Sequence, residues 1–418
     1  MIQKNDNREE GSTQASAAPS ASDARDPEAA SSADGTRVST PLASPSASGG
    51  QLDAYRARRR RNMMLGIACL VALGVLFLIG LGFGRSWIPP VDVFGILGKQ
   101  LSQALQASPF PPFQGLGNLL HSAFASWGPY PDAQVNIVTK IRLPRVTAAL
   151  LVGAALAISG ASYQGLFKNP MVSPDILGAS AGASFGAALA LLWNFDNRAV
   201  QVAAFVLGFV AVALTYFSAR RIGRGANQIL LLVLCGLIVG TLFQAFVSAI
   251  KYTADPDSKL PEITYWLMGS IAKITWDDLK VFMVPFLVGA IPLLVLRWRL
   301  NTLSFGDEEA ESLGVNVSLM RGVYILGATL LTSAVVAIAG VVGWVGLIIP
   351  HLVRFGFGPD NRIVLPMSLV VGAGFMVVVD MACRTLMASE IPLGILTSII
   401  GAPFFFVILM KTRRGERS

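Results

Sequence analysis

The chain carries little charge. Asp, Glu, Lys and Arg make up 14% of its 418 residues, where a soluble globular domain carries about 25%. With 53% hydrophobic residues and a mean hydropathy of +0.58, this excludes an ordinary soluble fold. Cysteine is also scarce. Cys69, Cys235 and Cys383 lie far apart inside apolar runs, which excludes a disulfide framework and reads as small buried hydrophobes. The two histidines, His121 and His351, have no companion ligands at metal spacing. No metal site is expected, and His351 beside Pro350 reads as a structural or capping residue. There is no GxxxxGK phosphate loop and no GxSxG nucleophile, so neither a catalytic residue nor a cofactor is expected. Energy must come from a partner protein or an ion gradient. The net charge of +8 collects at the ends of apolar runs, which reads as a topology signal and argues against nucleic acid as a partner.

What the chain does contain is a series of apolar runs, most of them reaching the roughly 20 residues a membrane-spanning helix needs. They fall at about 63–83, 146–166, 177–193, 199–219, 228–250, 279–297, 321–341, 343–355, 363–387 and 393–411. The fold class expected is therefore an all-α polytopic membrane protein of about ten transmembrane helices. The block 343–355 is interrupted by Pro350, His351 and Arg354. Arg56 and Arg58–Arg61 precede the first span; Arg220, Arg221 and Arg224 follow the fourth, and Arg297 and Arg299 the sixth. Together with Lys411, Arg413, Arg414 and Arg417 they place both termini in the cytoplasm. Lys140, Arg142 and Arg145 fall on the outer side against this rule. They either snorkel at the interface or form a basic docking surface for an acidic partner.

Residues 1–54 are rich in Ser, Ala, Gly, Pro and Asp and cannot bury enough apolar surface to hold a fold. With the arginine cluster they make a disordered cytoplasmic leader, 1–62, whose basic end also suits contact with membrane lipid. The segment Ala157–Ser184 joins an apolar helix to a polar break holding Lys168, Asn169, Pro170 and Pro174, and a small-residue helix then starts at Gly178. Broken backbone at membrane depth needs protein or a water-filled path to face. Ala157, Ile158, Gly160 and Pro170 recur 180 residues later as Ala337, Ile338, Gly340 and Pro350. The copies are five spans apart, which implies an inverted internal repeat. Gly178, Gly182 and Gly186, like Gly236 and Gly240, make flat stripes for close helix packing.

Two loops stand out. Residues 305–322 hold Asp307, Glu308, Glu309 and Glu311 on the basic side. An acidic start favours a helix N-terminus, and Gly314 can end that helix in a left-handed conformation. Two short helices across this glycine turn would present a rigid face to a partner; the plainer reading is a solvated loop. Residues 251–276 lie outside, and Pro261 opens a short helix through about Gly269.

The strings RLPRVTAALLVGAALAISG, the Asn-Pro break, GDEEAESLGVNV, VGLIIPHLVR and IPLGILTSIIGAPFFFVILM occur in this order. Together they resemble the FecCD-type permeases of ATP-binding-cassette importers, which carry cobalamin, haem and ferric siderophores. The resemblance covers about 63–414, which reads as one permease domain. It implies a transport subunit of the bacterial inner membrane, paired with a second permease subunit. Two cytoplasmic ATPases and a periplasmic substrate-binding protein are the further partners implied. Asp307, Glu308, Glu309, Ala310, Glu311, Ser312, Leu313 and Gly314 match the coupling helices that seat the ATPases. Arg142, Arg145 and Arg384 match arginines that meet the binding protein, with Asp380 four residues before Arg384 as its internal alternative partner. Asn169 and Met171 match the cytoplasmic gate, although Asn169 equally suits capping of the next turn. Tyr265, Trp266 and Met268 match a short helix at the pathway entrance. A ferric siderophore is the cargo favoured, with haem or cobalamin as the alternatives within the class. An ion-driven carrier is the competing class, but it would need mid-membrane carboxylates, and the spans offer Asp380 alone. The outer segment 85–140 is longer than the family pattern and suggests an added cap.

Overall fold

The computed structural model describes residues 45–223 and 228–415. The expected disorder of 1–44 therefore lies outside the described residues, as do Arg224 and Arg417. Among the described residues the chain is helical throughout and forms no strand. The helices are α1 Pro45–Gly82, α2 Pro90–Gln106, α3 Pro111–Phe124, α4 Asp132–Asn136, α5 Leu143–Leu166, α6 Ala179–Leu192, α7 Asn197–Ile222 and α8 Gln228–Thr253. They continue with α9 Lys259–Leu267, α10 Trp276–Val295, α11 Arg297–Leu303, α12 Asp307–Ser312, α13 Val317–Ala339, α14 Val345–Phe357, α15 Asn361–Thr385 and α16 Leu393–Gly415.

Seven segments are long and apolar enough to cross a membrane, and the shorter apolar helices α6, α14 and α16 occupy the other three expected positions. α4 and α5 run together through a π-helical stretch, Ile137–Arg142, as one span, Asp132–Leu166. α1 starts at Pro45, upstream of the expected span at 63, because Gln51–Arg61 is dominated by good helix formers and continues into the apolar run. The long outer segment folds as the α2–α3 pair, closed by Phe124 edge-on to both Phe94 and Trp127, which lie tilted to each other.

Burial sorts the spans into two shells. The span ending in α5 is 83% buried, α13 72% and α15 61%, against 17–33% for α1, α7, α8 and α10. The inner shell is built by backbone approach. A Cβ on Gly153 would lie 2.1 Å from the Gly372 carbonyl, and one on Gly160 would lie 1.8 Å from that of Gly346. Glycine is thus required where α5 crosses α15 and α14. Gly182 and Gly186 press in the same way on the Leu207 and Ala203 carbonyls of α7, as the small-residue stripe predicts. Ser159 Oγ donates to the Ala328 carbonyl and lies 2.9 Å from the Thr332 hydroxyl, joining α5 to α13.

The repeat holds at the level of elements: α5, a break and α6 are echoed by α13, a break and α14. Its matched residues do not share one structural role. Gly160 lies inside α5, whereas Gly340 follows α13 at φ 70°. Pro170 sits in the break and Pro350 inside α14. Each break also holds one non-glycine residue at positive φ, Lys168 at 51° and Trp344 at 70°, a strained geometry that surrounding structure must enforce.

Candidate functional site

The first break begins where α5 ends. Asn169 and Met171 are both exposed there, and Met171 N–H donates to Asn169 Oδ1 at 2.9 Å. The asparagine thus makes the local turn that its chemistry favours, while leaving Met171 48% exposed. Ser173 caps the following 3-10 turn, Pro174–Leu177, and Gly178 at φ 86° redirects the chain into α6. Gln164 holds this break. Its Nε2 donates to the carbonyls of Val172 at 3.3 Å, Gly346 at 3.3 Å and Leu347 at 3.1 Å. Its Oε1 accepts from Arg354. Pro350 explains the bond to Gly346. A proline inside a helix offers no N–H to the carbonyl four residues back, and Gln164 supplies the missing donor. The proline that interrupts the sequence of α14 is thereby accommodated from α5.

The acidic loop forms α12, and its end matches expectation. Gly314 takes φ 77° just past Leu313, a conformation that glycine adopts without penalty. Asp307 lies in the first turn and pairs with Arg321 of α13, Nη2 to Oδ2 at 2.9 Å. Arg321 also donates to Gln228 of α8 at 2.6 Å and is 6% exposed. Ala310 is fully buried, whereas Glu308, Glu309, Glu311 and Ser312 are exposed. Phe305 and Leu313 flank this acidic face at 74% and 66% exposure. One detail differs from the sequence reading. The second short helix does not follow Gly314; it precedes α12, as α11. Asn316 Oδ1 accepts the Leu319 N–H and starts α13 directly, so the turn runs straight into a span.

Arg142, Arg145 and Arg384 come together at the other end of α5 and α15, each 6–7% exposed. Arg145 Nε donates to Asp380 Oδ1 at 2.8 Å, and its Nη1 reaches Glu390 Oε1 at 2.9 Å. Arg384 Nε lies 3.0 Å from Asp380 Oδ2. Its Nη1 and Nη2 donate to the Phe83 and Gly80 carbonyls at 3.0 Å each. Arg142 donates to the Leu81 and Gly82 carbonyls at 2.9 and 2.7 Å, and also to that of Ser86. The cluster thus closes the end of α1 and neutralises Asp380, which is fully buried. The Oδ2 of Asp380 accepts no hydrogen bond among the described residues and meets Arg384 as a charge contact.

On α9, Tyr265 and Trp266 line a cavity of about 570 Å³ whose wall mixes apolar residues such as Leu191 and Ile338 with Asn197, Gln201, Lys273 and Asp278. Met268 stands apart from it. Its carbonyl accepts the Gly394 N–H at 3.0 Å, tying α9 to the start of α16.

Gln164, Arg321 and Glu390 were missed by sequence reasoning. A lone glutamine in an otherwise small and apolar helix was the available signal for Gln164. Glu390 meets Arg145 from 245 residues away and gave none, whereas Arg321 stands 14 residues after Asp307, and a single arginine closing the acidic 305–322 segment was its signal. Among the described residues no group of histidines, cysteines or carboxylates is arranged to hold a metal.

Comparison with known proteins agrees with this architecture. Residues 72–411 match the model of the FecCD transport family. The molybdate import system permease protein of Haemophilus influenzae is 43% identical over 282 residues, 68% of this chain and 83% of that protein. The hemin transport system permease protein of Yersinia pestis is 38% identical over 69% of this chain and 86% of its own. The cobalamin import system permease protein of Halobacterium salinarum is 40% identical over 67% and 74%. A solved ABC transporter described as metal-chelate type, in an inward-facing conformation, superposes with a TM-score of 0.70 at 36% identity. That match covers 83% of this chain and 99% of the other. The chain therefore belongs to the FecCD transport family, as a multi-pass ABC-transporter permease subunit and not itself an enzyme.

Proposed function

We propose that this chain is the permease subunit of a bacterial inner-membrane importer for a metal chelate, with a ferric siderophore as the first cargo to test. Two cytoplasmic ATPases would seat on α11 and α12, a second permease subunit would complete the pathway, and a periplasmic binding protein would deliver the cargo. Both termini then lie in the cytoplasm. The observation that carries the reading is α12: a short acidic helix anchored on Arg321, with Phe305 and Leu313 left exposed around it. A rigid surface of this kind can transmit a push without dissipating it in loop motion. Tyr265 and Trp266, with Met268 beside them, would border the entrance, and Asn169 and Met171 the cytoplasmic gate. Arg142, Arg145 and Arg384 would act on the binding protein mainly through their field and by fixing Glu390, whose side chain is 36% exposed.

The 43% identity to a molybdate permease favours a second reading, in which the cargo is an oxyanion. Uptake into proteoliposomes holding the assembled transporter separates the two. Saturable ATP-dependent uptake of a labelled ferric siderophore, uncompeted by molybdate, supports the first. Molybdate uptake alone supports the second, and uptake that follows an imposed ion gradient without ATP contradicts both.

A further inference from the structure

The seam between the end of α7 and the start of α13 plays no part in transport as proposed above. It opens into a mostly apolar groove of about 200 Å³, lined among others by Ala213, Tyr216, Phe217, Gly322, Ile325 and Leu326. Phe217 and Leu326 are 65% and 49% exposed, and a Cβ on Gly322 would meet nothing within 4 Å. Tyr216 also lines a second pocket of about 40 Å³, together with Arg220, Gln228, Ser318 and Arg321. The two spaces join in register. Arg220 follows Tyr216 by four residues on α7, and Ser318 precedes Gly322 by four on α13, a spacing that keeps each pair on one helix face.

The charges here do not cancel. No carboxylate lines either space. Arg321 is neutralised by Asp307, which leaves Arg220, with Arg221 next to it in the last turn of α7. Both are exposed, and neither makes a hydrogen bond or ion pair among the described residues. A helix C-terminus suits two cations, but it leaves their donors unused. Other donors are spare as well. The Ser318 hydroxyl and the Tyr216 phenol make no hydrogen bond among the described residues. Arg321 is 6% exposed, and its Nε is buried without a partner, a rare state for a buried polar group. Ser318 stands in the first turn of α13, where the dipole favours an anion. Spare donors around an uncancelled cation, at the end of an apolar groove, call for an anion that carries an apolar tail.

We propose that this seam binds one anionic phospholipid, with its phosphate on Arg220 and Ser318 and one acyl chain in the groove beyond Tyr216. The pocket of about 40 Å³ has room for a phosphate group, since a single water needs about 10–15 Å³. The net positive charge favours phosphatidylglycerol over phosphatidylethanolamine, whose ammonium the arginines repel. The test is native mass spectrometry of the purified permease, released from nanodiscs holding equal amounts of the two lipids. The wild-type chain keeps one phosphatidylglycerol per subunit under activation that strips the rest, with a preference of about tenfold. Arg220→Gln, at an exposed and unbonded side chain, removes that preference and lowers retention about tenfold. Gly322→Leu projects into the open groove and lowers retention similarly, whereas Leu70→Trp on the exposed face of α1 leaves it unchanged. Wild-type retention of phosphatidylglycerol in both seam variants overturns the proposal, as does equal retention of the two lipids by the wild-type chain. A free-anion site is the remaining outcome and also overturns it: inorganic phosphate then stays bound to the wild-type chain and to Gly322→Leu, is lost from Arg220→Gln, and no lipid is retained.

Discussion

Single side chains decide how this bundle tolerates its breaks. Gln164 shares its two amide N–H groups among three carbonyls and holds Arg354, so Gln164→Leu leaves buried acceptors and a guanidinium without this partner. Each such orphan costs about 1–3 kcal/mol. The variant should fold with a clearly lowered midpoint in thermal unfolding and transport poorly, and an unchanged midpoint would show that the hub is dispensable. Asp380 is the sharper case. Asp380→Ala leaves Arg145 and Arg384 facing each other, and breaking a buried pair in this way costs about 3–5 kcal/mol. We expect loss of the protein from the membrane fraction. Normal abundance of Asp380→Ala would mean that the cluster is solvated and its pairing weak. Gly160→Val should be equally damaging, since its Cβ would collide with backbone that cannot yield.

At the scale of elements, composition reveals the spans but not the way they are held. Apolar runs gave nearly every membrane helix its place, because length and hydropathy are local properties. The α14 helix falls within two residues of its expected block, 343–355, and only what makes Pro350 tolerable was hidden, because the donor lies on α5, far away in sequence. The same distance hid the ion pairs of Arg145 with Asp380 and Glu390; Arg321 lies only 14 residues from Asp307, and its pairing went unread because it depends on how α12 folds back on α13. The acidic loop was half legible: the turn at Gly314 follows from glycine chemistry, but the order of the two short helices turned on Asn316 capping α13. The element α12 makes its own prediction. Asp307→Ala removes its anchor on Arg321, so ATPase activity should continue while coupled uptake falls, as measured by cargo moved per ATP hydrolysed. An unchanged ratio would show that the anchor is irrelevant to coupling. Removal of 1–44, upstream of α1, should leave membrane abundance and uptake intact; loss of uptake at normal abundance would reveal a specific partner.

Among the described spans, α5, α13 and α15 are mostly buried, whereas α1, α7, α8 and α10 leave most of their apolar side chains exposed. One end carries the buried arginine cluster and the other the acidic face of α12. Charge reversal at Arg142 and Arg145 tests the first end. Both groups are buried and bonded, so the double glutamate variant should fail to accumulate, while Glu390→Gln should accumulate normally and alter binding-protein affinity in a salt-dependent way, since exposed charges are screened over about 8–10 Å. No change in affinity at low salt would remove this surface from the docking reading. The central claim, that α12 and its flanks seat an ATPase, is tested most directly at Phe305 and Leu313. Both are exposed, so Phe305→Glu/Leu313→Glu keeps the fold, and the measurement is co-purification of the ATPase with the membrane-embedded permease. The account predicts loss of the ATPase, and of ATP-driven uptake with it, at wild-type permease abundance. Wild-type co-purification and uptake would contradict it.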